Sequence, residues 1–289
     1  MRITNNVLVN NLKNNLSRTI ANMERQQRQL ATGRRIGKPS EEPTGIVESM
    51  RLVSRLRENK VYQDNAKDAI SWLETADDAL NSLTTAVRRG YELTVQAANG
   101  ILSPEDREAV NAEIRQLMDE IGVIANTMHN DRYIFAGTNT MNKPYEDGVW
   151  QHNQENVLYE VGIGVKIPIN LTAEEVFLEE DIMGSLQKVV EHLEYNQTQE
   201  LGADIEALQK CIDQVLACRA KVGASINRLE MTVARLEEQE VHYKELQAEV
   251  DGVDAAQLIM EMKNDENVYR AALAVGARVI MPTLVDFLR

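Results

Sequence analysis

Apolar residues recur every three or four positions over much of this chain, and the longest such run lies between Leu201 and Val250. Ile205, Leu208, Ile212, Val215, Val222, Ile226, Leu229, Val233 and Leu236 form one stripe, interrupted only at Arg219. A stripe held at this spacing predicts a long helix with a coiled-coil-type seam. Arg228, Glu230, Arg235, Glu237, Glu238 and Glu240 between them supply a charged, solvated face. A helix of about 45 residues runs for about 68 Å, more than a compact domain accommodates, so an elongated fold is expected.

Two further helices follow from the same pattern. Leu73, Ala76, Leu80, Leu83 and Val87 mark one from about Gly45 to Asn99. The next opens at Ser103-Pro104-Glu105-Asp106 and carries Val110, Ile114, Leu117, Ile121, Ile124 and Met128. Serine is suited to the N-cap, proline to the first helical position and acids to the first turn. Asn99-Gly100 lies just before that start, so the two helices are expected to form an antiparallel hairpin. Between about Arg132 and Phe177 the period shortens. Tyr133-Ile134-Phe135, Val157–Val161 and Val165–Ile169 read as strands, with Gly162-Ile163-Gly164 as a hairpin turn. The expected fold class is mainly α: an elongated antiparallel bundle or coiled coil of N- and C-terminal segments with a small β-rich insert. The division this implies is a terminal helical domain of residues 1–44 and 251–289, a long-helix bundle of 45–131 and 180–250, and the insert at 132–179.

The two ends carry the remaining apolar pattern. From Ile3 to Leu30 a heptad stripe runs through Val9, Leu16, Met23 and Leu30, with Leu12 and Thr19 between. Beyond Leu258, the stretch from Met262 to Arg289 is apolar and helical in pattern down to Met281, with no polar tail. Chain ends are usually frayed and polar unless something ties them down. Two adhesive helices at opposite termini therefore point to pairing with each other and to a surface that needs neighbours. The residues expected to carry that assembly are Val9, Leu12, Leu16, Met23, Leu30, Leu258, Met262, Leu273, Val275, Val279, Ile280, Leu284, Phe287 and Leu288. The small residues Ala271, Ala272, Ala274, Gly276 and Ala277 would let helices approach closely.

Composition agrees with a helical protein: 43% of residues are hydrophobic and only 4% aromatic. The formal net charge is −14, but residues 1–35 hold seven cations against a single acid, Glu24. A basic arm is one signature of nucleic-acid binding. This arm has no aromatic residue for base stacking, so the solvated face of one helix is the better reading, and no nucleic acid is expected. The start of the chain has no apolar core or small-residue cleavage site of a secretory signal. No stretch reaches the roughly 20 apolar residues of a membrane span. The chain is expected either to stay in the cytoplasm or to leave by a route that reads another signal. Cys211 and Cys218 lie seven apart, about 10.5 Å of helical rise, beyond disulfide reach, and are expected to pack as thiols on one face.

Catalytic patterns are not found. His129, His152, His192 and His242 lie in separate segments without metal-ligand spacing. There is no nucleophile elbow and no phosphate-cradling loop. Gly162-Ile163-Gly164 sits between two strands, where a dinucleotide motif needs strand then helix. Glu41-Glu42, Asp77-Asp78, Glu179-Glu180 and Glu237-Glu238 read as solvated faces in so acidic a chain. No catalytic residue, cofactor or metal is expected.

Three segments resemble the flagellin superfamily. Leu30-Ala31-Thr32-Gly33-Arg34-Arg35-Ile36-Gly37-Lys38-Pro39-Ser40-Glu41-Glu42-Pro43-Thr44-Gly45 is similar to the L-S-S/T-G-x-R-I-x-x-P-S-D-D-P-x-G signature after the first helix. Asn130 to Thr138, followed by Pro144-Tyr145, resembles the N-D-x-R-Y-x-F-x-G-T stretch that opens the middle region. Gly276 to Arg289 resembles the G-A-R-x-x-x-P-S-L-x-D-F-L ending. The ending and the F-A-G-T stretch are nearer to the hook–filament junction branch than to filament flagellins. The resemblance marks Gly33, Arg35, Ile36, Pro39, Ser40, Pro43 and Gly45 as the family-motif loop. Glu41-Glu42 stands where an aspartate pair is usual, and Gly37 where asparagine is common. Arg89 to Gly100 resembles flagellin's R-x-R-E-L-x-V-Q-x-A-N-G, a surface read in flagellins by an innate immune receptor, with Tyr91 in place of arginine.

The resemblance implies a structural protein of the bacterial flagellum, an adaptor ring subunit joining hook to filament. It implies export unfolded and without a cleaved signal peptide, with the aid of a cytoplasmic chaperone. It also implies self-association into a ring between a neighbouring hook-associated protein and the filament protein, with no membrane insertion. The alternatives are a filament subunit and, from another class, a helical effector or needle-tip protein of a type III export system.

Overall fold

The computed structural model describes residues 2–99, 103–146, 148–151, 153–197 and 199–280, with side chains from Val7 to Ala277. In chain order the elements are α1 (Arg2–Thr32), α2 (Pro43–Asn99), α3 (Pro104–Ala125), β1 (Met128–His129), β2 (Arg132–Tyr133), β3 (Tyr145–Glu146), β4 (Val149–Trp150), β5 (Leu158–Gly162), β6 (Val165–Pro168), α4 (Ile182–Glu194), α5 (Leu201–Asp251) and α6 (Ala255–Ile280). A π-helical turn, Glu174–Leu178, precedes α4. Contacts divide the chain into two compact units, Met1–Glu58 with Gln239–Arg289, and Asn59–Glu238.

In the larger unit, α3 and α5 both run antiparallel to α2. Arg89 bonds Glu113 at 2.7 Å while Thr75 meets His129 at 2.8 Å, so residue numbers rise on one helix as they fall on the next. Similarly, the Gln63 amide donates to the Leu236 carbonyl (3.3 Å), and Arg219 reaches Asp77 farther along. The predicted stripe faces inward: Leu208, Ile212, Val215, Val222 and Leu229 are buried against Leu80, Leu83 and Val87 of α2 and Ile114 and Ile121 of α3 in the same core, and Leu236 is buried farther along. The interruption at Arg219 has a partner. Its guanidinium donates two bonds to Asp77 (3.0 and 3.2 Å) and one to Asn81 (3.0 Å). A planar fork on a carboxylate is the strong form of this interaction, and the Asp77 bond holds the Arg219 pKa above its usual value.

The start of α3 follows from its sequence. Ser103 accepts from the Asp106 amide, and the Asp106 carboxylate accepts from the Ser103 amide, a reciprocal capping box. Helix α4 is an element that the sequence reading passes over. Its Ile182, Leu186, Val189, Val190 and Leu193 do carry helical spacing and are all buried. Asp181, in the left-handed region at φ 40°, caps it by accepting from Gly184 (3.0 Å). The helix packs closely on α2, since a Cβ on Gly90 would lie 2.9 Å from a Leu186 methyl.

Among the described residues, the insert and the two residues of β1 before it form three separate two-stranded sheets. β5 and β6 turn at Gly162-Ile163-Gly164, with Gly164 at φ 70° and a register shift between Glu160 and Gly162. Tyr133-Ile134-Phe135 is shorter as a strand than its pattern predicts. Only Arg132–Tyr133 forms strand; the Ile134 amide still donates across to the Thr127 carbonyl (3.2 Å), and the Ile134 and Phe135 side chains are buried in the core. Phe135 stands edge-on to Phe177 at 5.3 Å. Val161, Ile167 and Ile169 join the same core, so the insert shares the helices' hydrophobic interior.

Cys211 and Cys218 are free and buried on α5. Their thiols point at the carbonyls of Glu180 (3.3 Å) and Glu175 (3.5 Å). Burial raises both pKa values, that of Cys218 to about 11. At pH 8 about one Cys218 in a thousand is then thiolate, the reactive form. Neither thiol should react measurably with an alkylating reagent in the folded chain, and both should react at once in denaturant; mass spectrometry of timed samples checks this.

Candidate assembly interface

The smaller unit is built from the two ends of the chain. Helices α1 and α6 lie antiparallel: the Gln26 amide donates to Asp265 (3.1 Å), and farther along Leu12 rests on Gly276. A Cβ at Gly276 would lie 2.6 Å from a Leu12 methyl, so the absence of a side chain there sets how closely the helices approach. Val9, Leu12, Leu16, Met23 and Leu30 are half-buried on α1; on α6 Leu258 is buried and Met262 half-buried. Gln26 was not foreseen, although the stripe through Met23 and Leu30 predicts an inward residue between them. It is 5% exposed, and a polar pair inside an apolar seam favours one register over its neighbours.

The segment between α1 and α2 folds back on the junction of α5 and α6. Gly33 makes the turn at φ 67°, a conformation that glycine adopts without strain. Arg34 then forms a β-bridge with Gly252, and the Arg35 amide donates to the Asp251 carbonyl (2.6 Å). The Arg35 side chain donates to the Val250 carbonyl (3.0 Å) and pairs with Glu42 (2.6 Å). The Asp251 carboxylate, only 3% exposed, accepts from Ser49 of α2 (2.5 Å) and lies 3.8 Å from Arg34. Ile36 is buried beneath this clasp; a Cβ on Gly45 would lie 2.6 Å from its Cδ1. Pro43 is the first residue of α2, while Pro39 and Ser40 are exposed in the turn before it. Thus Gly33, Arg35, Ile36, Pro43 and Gly45 each have a structural task.

The two glutamates that replace the usual aspartates also have tasks. Glu41 reaches back to accept from the amides of Gly37 (2.8 Å) and Lys38 (3.2 Å), and Arg28 lies 3.7 Å away. The Gly37 bond is the largest cause of its lowered pKa. Three cations of the basic arm, Arg28, Arg34 and Arg35, are therefore occupied within the chain. Beside the clasp, Ile36, Val253 and Leu258 line a cavity of about 490 Å³ rimmed by charged residues.

The outward sides of the pair remain apolar in part. Leu273 is 46% exposed and Val275 57%, and Val7, Leu8, Ile20, Met260 and Val268 are also exposed. Leu284, Phe287 and Leu288 lie outside the described residues, as do the side chains of Val279 and Ile280. Elsewhere, the Arg89 segment turns Leu93, Thr94 and Ala97 into the core of the larger unit. Among the described residues no helix is long and apolar enough to cross a membrane, and no group of three metal-ligating side chains occurs.

Terminal helices paired antiparallel and clasped at their base define a helical structural protein built around its own ends. The family model of the bacterial flagellin N-terminal helical region matches residues 3–140, and that of the C-terminal helical region matches 205–288. The chain belongs to the flagellin family. Flagellin of Bacillus subtilis (strain 168) is 26% identical over 296 residues, 96% of each chain. Flagellar hook-associated protein 3 of Escherichia coli (strain K12) is 26% identical over 231 residues, 70% of this chain and 73% of that protein. Among solved structures, Bacillus cereus FlgL has a TM-score of 0.61 at 23% identity, covering 68% of this chain and 99% of that one. The flagellar junction protein FlgL of Legionella pneumophila has a TM-score of 0.59 at 15% identity, covering 72% and 100%. The fold is that of this group.

Two expectations follow. Gly276→Val forces Leu12 aside and should cost the α1–α6 pair about 1–3 kcal/mol, seen as faster tryptic cleavage at Lys13 and Arg18. Adding Leu12→Ala should relieve most of that loss. For Glu41, the folded pKa is below the unfolded value, so its contribution is complete above about pH 4.3 and is lost as pH falls through the folded value. Amide exchange of Gly37 and Lys38 should therefore rise on acidification, relative to Gly33, and Glu41→Gln should abolish that rise.

Proposed function

We propose that this chain is a structural subunit of the bacterial flagellum at the joint between hook and filament. The observation that carries the reading is the half-covered pair of terminal helices: Leu273 and Val275 stay exposed on a pair whose inner seam is already formed. Exposed apolar surface on a paired helix is a surface for neighbours. The assembly domain is residues 1–44 and 251–289, and the fourteen apolar residues named from the sequence form its contacts. The 33–45 clasp holds the base of that domain. Copies associate into a ring, with a hook-associated protein on one side and the filament protein on the other. The chain reaches this extracellular position by flagellar export, accompanied in the cytoplasm by a chaperone and without a cleaved signal. Its role is structural rather than catalytic.

A filament subunit is the second reading, favoured by the Bacillus subtilis flagellin that matches nearly the whole length. The junction reading is supported by the similarity of fold to the full length of FlgL chains. Deleting the gene separates them. The junction reading expects intact hooks, with filament protein released into the medium. A filament subunit would instead be the bulk protein of isolated flagella, and finding this chain in that abundance would sink the junction reading. Removing residues 262–289 should abolish incorporation.

A further inference from the structure

The cations of α1 fall into two groups. Arg28 is paired with Glu41 through the clasp. Lys13, Arg18 and Arg25 are exposed and form no ion pair among the described residues. Arg18 and Arg25 are seven residues apart, so they share a face about 10.5 Å long, turned away from the Leu12–Leu16–Met23 stripe. The same unit carries an opposite row on α5. Glu245 and Glu249, one turn apart, are exposed and form no ion pair among the described residues, while Tyr243, Leu246, Gln247 and Val250 turn inward. Lys244, the adjacent cation, is engaged by Glu240 at 2.6 Å.

We propose that, in the assembled flagellum, the Arg18/Arg25 row on α1 of one copy docks on the Glu245/Glu249 row on α5 of the next. This rests on the reading of the chain as a flagellar assembly subunit. The occupant is a second copy because the two rows are opposite in sign and neither forms an ion pair within its own chain among the described residues; the glutamate pair spans about 6 Å and the arginine pair about 10.5 Å, a difference that the long arginine side chains can close. The apolar faces of α1 and α6 supply non-directional adhesion. The charge rows add what adhesion lacks: they fix register and reject a like-charged approach. Since the rows are different surfaces, the contact is head-to-tail, and a head-to-tail contact closes a ring or extends a helix instead of stopping at a dimer.

The test uses four full-length chains expressed in cells lacking the native gene: wild type, R18E/R25E, E245R/E249R and the variant with all four changes. The readout is the amount of chain per hook in isolated flagella, with circular dichroism confirming helix content. Each double variant should be incorporated about tenfold less, because like charges then face each other. The fourfold variant restores opposite signs and should regain wild-type incorporation. Normal incorporation of either double variant would overturn the contact. So would a fourfold variant that stays low, which would mean that the rows meet a different protein. Absence of the wild-type chain from flagella would instead remove the assembly reading itself.

Discussion

An antiparallel pair of helices can cover only one stripe on each partner. That limit governs the unit formed by the two chain ends. α1 and α6 bury Leu258 and Gly276 and half-bury Leu12, Leu16 and Met23, but among the described residues Leu273 and Val275 stay exposed. A third layer is needed for a complete core, because domains reach stability by packing layers around apolar surface. In the larger unit α2, α3, α4 and α5 close over one another and leave Leu80, Leu83, Ile114 and Leu208 fully buried. The contrast is between a unit with a closed core and a terminal pair that keeps Leu273 and Val275 exposed.

The clasp determines whether the end helices can be presented as a pair. Residues more than two hundred apart in sequence meet there, and most of the bonds involve backbone: Arg35 to Asp251, Arg35 to Val250, Glu41 to Gly37. Bonds to charged groups are worth more than neutral ones, and a buried acid such as Asp251 is costly unless it is satisfied. Ser49 and Arg34 satisfy it. Glutamate in place of aspartate lengthens the side chain by one methylene, and at position 41 that length is used to span the turn back to Gly37.

The same physical division explains the two kinds of surface on the terminal unit. Apolar area attracts any apolar partner, so alone it would not choose among orientations. Charge rows and the part-buried Gln26–Asp265 pair are directional. Apolar area favours association, and the polar and charged terms restrict its geometry.

Much of the fold could be read from periodicity alone. The α5 stripe, the Ser103 cap and the heptad run of α1 are local patterns, and local patterns are what a sequence states directly. The resemblance of the 30–45 loop and of the ending added the family. Three things were decided only in three dimensions. Arg219 reads as a flaw in the seam until Asp77 and Asn81 are placed opposite it. Helix α4 is short and follows acidic turns; its apolar spacing is present in the sequence, but its packing of Leu186 on Gly90 was decided in three dimensions. Ile134 and Phe135 have strand propensity, yet the strand stops at Tyr133 and both side chains are buried in the core. The sequence by itself determined the long helices and which of their faces are apolar, because both follow from spacing along one chain. Which apolar faces are covered and which stay open was decided by tertiary structure, because coverage depends on residues hundreds of positions away.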